Sequence, residues 1–202
     1  MQHREAEPKP ADPAKSAVYT TFMPGYEALN ARLQAELISR SETIPDAVSN
    51  SLAGGRSYFR NKWLSKSNLH TDPDPDLHAL REFAIKEASR LVQSRDDDRL
   101  LSVTSMWCIV GKEGLEGRPH NHAGKISGAY YVNAGSSGPE DGGVLQFYMG
   151  RSRRHSKLRS LTPRSGQMVL FPSRLIHSVT RYVGAELRIV ISFNLAWPNI
   201  GD

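Results

Sequence analysis

From residue 99 onward the chain carries apolar runs too short for helices: residues 101–110, 126–133, 144–148, 167–171 and 187–195. Gly111, Gly117, Pro119, Gly135, Pro139, Gly142, Gly143, Pro163, Gly166, Pro172 and Gly184 punctuate them. Runs of this length, closed off by residues that break extended structure, read as strands separated by turns. Such strands can bury their apolar faces only against one another or under a helix, so the second half predicts a sandwich or a barrel.

The first half follows another period. Tyr26, Leu29, Leu33, Leu37 and Ile38 recur at helical spacing in a stretch, 25–40, without internal proline. Asp74-Pro75 supplies an N-cap and a first-turn proline for a second helix, which carries Leu77, Leu80, Phe83, Ala84, Ala88 and Leu91 on one side to about Gln93. Residues 49–70, rich in Ser, Asn and Gly, read as loop with short extended pieces. The class is therefore α+β, with helical support over 17–98 and a β core over 99–202 in a single domain. Residues 1–16, with Pro8, Pro10 and Pro13, read as a disordered tail.

Several classes of protein are set aside by composition. No apolar run is long enough to cross a bilayer, and no apolar leader opens the chain, so a cytoplasmic location is expected. The one cysteine, Cys108, lies between Trp107 and Ile109 in an apolar run; it excludes an internal disulfide and reads as a buried structural thiol. The net charge of +5 is concentrated from Arg151 to Arg188, which holds nine Lys/Arg against one acid, Glu186. Residues 151–159 read as a solvated basic loop between core strands, long enough for a lid and of a sign to attract an acidic substrate. They lack interleaved aromatics, so nucleic acid is not expected as a partner.

Chemistry concentrates in the β half. His120-Asn121-His122 would present two imidazoles from one side of a strand, because side chains repeat every second residue, and His177 can supply a third. On the last strand, Arg188, Val190, Ser192 and Asn194 alternate with Leu187, Ile189, Ile191, Phe193 and Leu195. If the first set faces a cavity, it places a guanidinium and a hydroxyl there. Ala129, Tyr131 and Asn133 share a face on their own strand, and Tyr131 could add a phenol. Arg188, Tyr131 and Ser192 together would make a carboxylate site. His70, His78 and His155 lack such company and read as surface residues.

The ordered set His120-x-His122, Ser127 to Val132, Gly142 to Phe147, Phe171 to His177 and Arg188 to Asn194 resembles the iron(II)- and 2-oxoglutarate-dependent oxygenases. It looks closest to a bacterial and phage group of unassigned substrate, whose N-terminal region Ser49-Asn50 and residues 63–69 also resemble. The resemblance implies a double-stranded β-helix, iron(II) bound by His120 and His177, and 2-oxoglutarate paired with Arg188 and helped by Tyr131 and Ser192. Dioxygen would be the further co-substrate. Residue 122 departs from the wider family, which has Asp or Glu there. Either His122 completes a three-imidazole triad, or the position is vacant as in halogenating members. The implied reaction is hydroxylation of an unactivated C–H bond in a small molecule, amino acid or peptide, with release of succinate and CO2. A three-histidine cupin-type dioxygenase needing no keto acid, and a non-catalytic β-helix binding module, are the alternatives. A homodimer is left open.

Overall fold

The structure is a computed structural model and describes residues 18–47, 59–92, 100–136, 140, 142–149 and 157–198. The expected N-terminal tail, Ser49-Asn50 and residues 151–156 of the expected basic loop 151–159 lie outside the described residues. Nine strands form one curled sheet: β1 (Tyr19–Phe22), β2 (Phe59–Leu64), β3 (Ser102–His120), β4 (Ile126–Asn133), β5 (Leu145–Met149), β6 (Lys157–Leu161), β7 (Gln167–Pro172), β8 (His177–Val179) and β9 (Arg188–Ala196). Their order is β1-β7-β4-β9-β3-β8-β5-β6, with β2 added beside β3. Two helices, α1 (Tyr26–Thr43) and α2 (Pro75–Val92), precede most of it, as their spacing predicts.

Curling is carried by β3, whose 19 residues belong to two neighbourhoods. Its first half pairs antiparallel with β9, from Ser102 opposite Ala196 to Gly111 opposite Arg188. Its end pairs with β8, where Gly117 faces Val179 and His120 faces His177. One strand thus hands the sheet from its larger wall to its smaller one, and a cavity is left between them. Sequence reading ends this strand at Val110 because Gly111, Gly114 and Gly117 look like stops; cross-strand pairing with β2 carries the chain through them.

Alternation sorts side chains to the two faces of the larger wall. Tyr130, Val132, Met168, Leu170, Ile189, Ile191, Phe193 and Leu195 are buried with Leu33 and Leu37 of α1 and Leu77, Leu80 and Ala84 of α2. Tyr131, Val169, Phe171 and Val190, one residue out of step, are buried on the inner face with Leu145 and Phe147. The helices therefore leave the inner face free for a site. Asp74 caps α2 as expected, its Oδ1 accepting from the amides of Asp76 (2.8 Å) and Leu77 (3.1 Å).

Two expectations need correction. Asn133 does not share the face of Tyr131: the β4–β9 register shifts between them, and Asn133 Nδ2 donates to Gln34 of α1. A bulge of this kind inserts a residue and reverses the alternation. The expected basic loop also ends early, because Lys157–Leu161 is strand β6, paired with β5. It is an edge strand, exposed from Lys157 to Ser160, so it has no apolar face by which a sequence could betray it. Strand β1, within the stretch read as helical support, is equally silent, whereas β2 is one of the short extended pieces expected within 49–70.

Asn30 of α1 is the polar pin between layers. Its Nδ2 donates to Val132 O (2.8 Å) and its Oδ1 accepts from Tyr130 Oη (2.6 Å), both buried. Asn30→Ala leaves two buried groups without partners and is expected to cost about 2–4 kcal/mol, read as a lower urea midpoint at unchanged slope.

Candidate metal centre and anion pocket

His120 is the last residue of β3 and stands opposite His177, the first of β8. His122 lies two residues past the strand end, so period-two alternation alone does not hold it. Its backbone amide donates to Ser173 O (2.9 Å), which ties the turn after β3 to the turn after β7. The three rings converge: centroids are 4.4 Å apart for His120 and His177, 4.9 Å for His120 and His122, and 5.1 Å for His122 and His177. One ligand nitrogen from each lies within 4.8 Å of the others.

The tautomers suit a metal. His120 Nδ1 is 2.6 Å from Arg118 O and His177 Nδ1 is 3.0 Å from Leu175 O. A carbonyl only accepts, so each Nδ1 carries the proton and each Nε2 is the unprotonated nitrogen that can ligate. Burial pushes all three pKa values down; His122 falls to about 4 and His177 to about 3, with the neighbouring His120 adding to each shift. His120 is lowered by burial too, against the opposing pull of the Arg118 carbonyl. Neutral imidazoles are the form that binds metal.

The sign of the pH effect follows. An unfolded histidine takes its proton near 6.5 whereas these do so only near 4 and 3, so between those values the unfolded chain holds more protons. Metal-free protein should lose stability as pH falls through about 6.5 towards 4. Melting temperatures across that range test this, and His177→Phe should flatten the slope.

Facing the same cavity are Tyr131, Arg188 and Ser192, together with Trp107, Phe171 and Val190. Arg188 opens β9 and is 3% exposed. Its Nη1 donates to Ala134 O (3.0 Å) and its Nη2 to Gly143 O (2.7 Å), while the guanidinium lies over the rings of Tyr131 (5.2 Å) and Tyr182 (5.8 Å). No carboxylate among the described residues pairs with it. A buried guanidinium without an anion is costly, so this site is built to receive one. Burial raises the phenol of Tyr131, and the charge of Arg188 works the other way. Asn194, the fourth residue of the alternating set, is instead bonded to Ser127 and Ser105.

Sequence reasoning missed Trp107, whose ring lies 5.6 Å from that of His122, and Tyr182, fully buried beneath Arg188. Trp107 sits in a run, 101–110, apolar on both faces at this point, so alternation does not tell which side turns inward, and Tyr182 sits outside the expected strands. It also read Gly143 as a turn and as part of the Gly142 to Phe147 motif, without assigning it a place beside Arg188. With φ of +66°, and with an added Cβ falling 2.5 Å from Arg188 Nη1, that position admits no side chain.

Residues 105–194 match the family described as "Putative 2OG-Fe(II) oxygenase". No curated protein is a sequence match. Among solved structures, a Pseudomonas putida prolyl-4-hydroxylase is 16% identical, covers 92% of this chain and 95% of its own, and superposes with a TM-score of 0.67. HygX from Streptomyces hygroscopicus, solved with nickel and 2-oxoglutarate bound, is 13% identical over 92% of this chain and 84% of its own, with a TM-score of 0.61. The non-heme α-ketoglutarate-dependent carbocyclase SnoK from nogalamycin biosynthesis is 12% identical over 93% and 85%, with a TM-score of 0.64. The curled sheet is thus the double-stranded β-helix of these enzymes. Among the described residues no helix is long and apolar enough to cross a membrane.

Proposed function

We propose that this chain, whose residues 105–194 carry the iron(II)- and 2-oxoglutarate-dependent oxygenase signature, hydroxylates a C–H bond of a small molecule, amino acid or peptide. His120, His122 and His177 hold the iron, and Arg188 holds the far carboxylate of 2-oxoglutarate, with Tyr131 and Ser192 beside it. The donor set fits: three neutral imidazoles, each with one ring nitrogen within 4.8 Å of the others, suit iron(II) and leave coordination positions open. Bound iron, with 2-oxoglutarate and dioxygen, supplies the oxidising power that an unactivated C–H bond demands.

The remaining work belongs to side chains. Arg188 meets a carboxylate with donors beyond the two its backbone acceptors occupy, and its stacking on Tyr131 and Tyr182 fixes the plane of the fork. Trp107, Phe171 and Val190 exclude water around the reacting carbon. At residue 122 the nearness of the ring to both other imidazoles favours ligation over a vacant position. The observation that carries the reading is Arg188, buried in the cavity of the three histidines with no carboxylate partner among the described residues. A three-histidine dioxygenase without a keto acid shares the triad but has no use for that arginine.

Anaerobic loading with iron(II) and 2-oxoglutarate, followed by oxygen, should yield iron-dependent succinate. Mass spectrometry across amino acids and peptides then looks for the gain of one oxygen atom. Turnover without any keto acid would transfer the assignment to the three-histidine class.

A further inference from the structure

A second cavity, about 300 Å3, also borders His122 and is lined by Asn121, His122, Ala123, Gly124 and Arg174. Its one full cation is Arg174, exposed at the turn between β7 and β8. The guanidinium has no hydrogen-bonding or ionic partner among the described residues. Its backbone, in contrast, is tightly held. Leu175 N donates to Pro172 O (2.8 Å), closing the turn. Ser173 O accepts from His122 N (2.9 Å), Ser173 N donates to Lys125 O (3.2 Å), and Leu175 O holds His177 Nδ1 (3.0 Å). Arg174 is therefore flanked by Ser173, whose carbonyl holds the backbone of His122, and Leu175, whose carbonyl holds the imidazole of His177.

The facing wall is just as constrained. Gly124 has φ of +110°, and a Cβ there would fall 2.9 Å from Leu195 O, so the turn carrying Asn121 and His122 can take no bulkier residue at that point. Lys125 N donates to Leu195 O (2.8 Å), and Ser127 Oγ to Ser173 Oγ (2.9 Å), which fastens both turns to each other and to the end of β9. A rotatable cation and a neutral amide thus share a polar recess beside a metal-site histidine.

We infer that the recess of Asn121 and Arg174 binds a carboxylate or phosphate group of the substrate, and so selects anionic substrates for the cavity next to it. This rests on the oxygenase reading. Arg188 faces the inner cavity and is occupied by the co-substrate in that reading, which leaves Arg174 as the cation lining this recess and available to the substrate itself. The guanidinium forks onto two anionic oxygens and the Asn121 amide donates to a remaining lone pair. Because the turn is bonded to the histidines, the anion would be held at a set distance from the metal, which orients the carbon to be oxidised.

Arginine Nε–Hε resonances, recorded cold and mildly acidic and assigned through Arg174→Gln and Arg181→Gln, test the recess without turnover. Methylphosphonate and acetate are titrated separately. The Arg174 signal should move and saturate with at least one of them, the tighter one identifying the group, while Arg181, exposed on a different loop, should follow neither. With manganese(II) and saturating 2-oxoglutarate loaded, relaxation of the bound probe should be enhanced, and Arg174→Gln should weaken probe binding roughly tenfold, as expected for loss of one charge-assisted contact. If Arg174 and Arg181 respond alike, or if Arg174→Gln leaves the relaxation unchanged because the probe sits on the metal, the inference is wrong. If Arg174 saturates but manganese does not load at the histidines, the anion recess stands and the oxygenase reading falls.

Discussion

Arg188→Leu should raise the apparent KM for 2-oxoglutarate by two orders of magnitude or more while leaving iron affinity nearly unchanged. Removing one partner of a buried, hydrogen-bonded ion pair costs about 3–5 kcal/mol, and each 1.4 kcal/mol is about a factor of ten. Iron should be spared because its proposed ligands lie on β3, β8 and the turn after β3, whereas Arg188 opens β9. The variant also strips donors from the buried carbonyls of Ala134 and Gly143, so its melting temperature should fall. Arg188→Lys separates the two effects: a point charge keeps the attraction but cannot fork, and its KM should fall between those of wild type and the leucine variant. Succinate formation at varied 2-oxoglutarate, beside an iron titration, decides the matter. A leucine variant with normal KM would remove the anchor from the proposal.

His177→Ala should abolish stable iron binding and turnover in a protein that still melts cooperatively. The imidazole is a terminal group on the inner face, its ring 4.6 Å from that of Phe171, and the helix-side core does not depend on it. Losing a direct ligand should cost more than the roughly 10–100-fold lost with an outer hydrogen-bond partner. His122→Asp is the complementary test. A carboxylate in place of the second imidazole restores the commoner donor set, so iron and part of the activity should be retained. If His122→Ala keeps full iron affinity, position 122 is not a ligand. Calorimetric titration with iron(II) under nitrogen reads all three variants.

Both helices and five of the nine described strands were legible because each rests on a local rule. A helix or a half-buried strand writes its period into the sequence, and Arg188 falls where alternation directs it inward, whereas the three histidines were legible only as a conjunction of residue types. Of the other four, β1 and β6 are edge strands with little need of an apolar face, β8 is only three residues long, and β2 lies in a stretch that reads as loop with short extended pieces. The β4 bulge escaped for a similar reason, since one inserted residue changes the facing of Asn133 without changing its chemistry.

By itself, then, the sequence determined the α+β class, the apolar faces and the kinds of side chain available to the site. Tertiary structure decided which of them meet. Pairing of His120 with His177 depends on β3 crossing from one wall to the other, and His122 joins them through a backbone bond to Ser173 rather than through strand periodicity. The seat of Arg188 is made from Ala134, Gly143, Tyr131 and Tyr182, which approach it from separate segments. Local propensity acts over a few residues, whereas these contacts exist only once the sheet has curled and brought distant segments to one cavity.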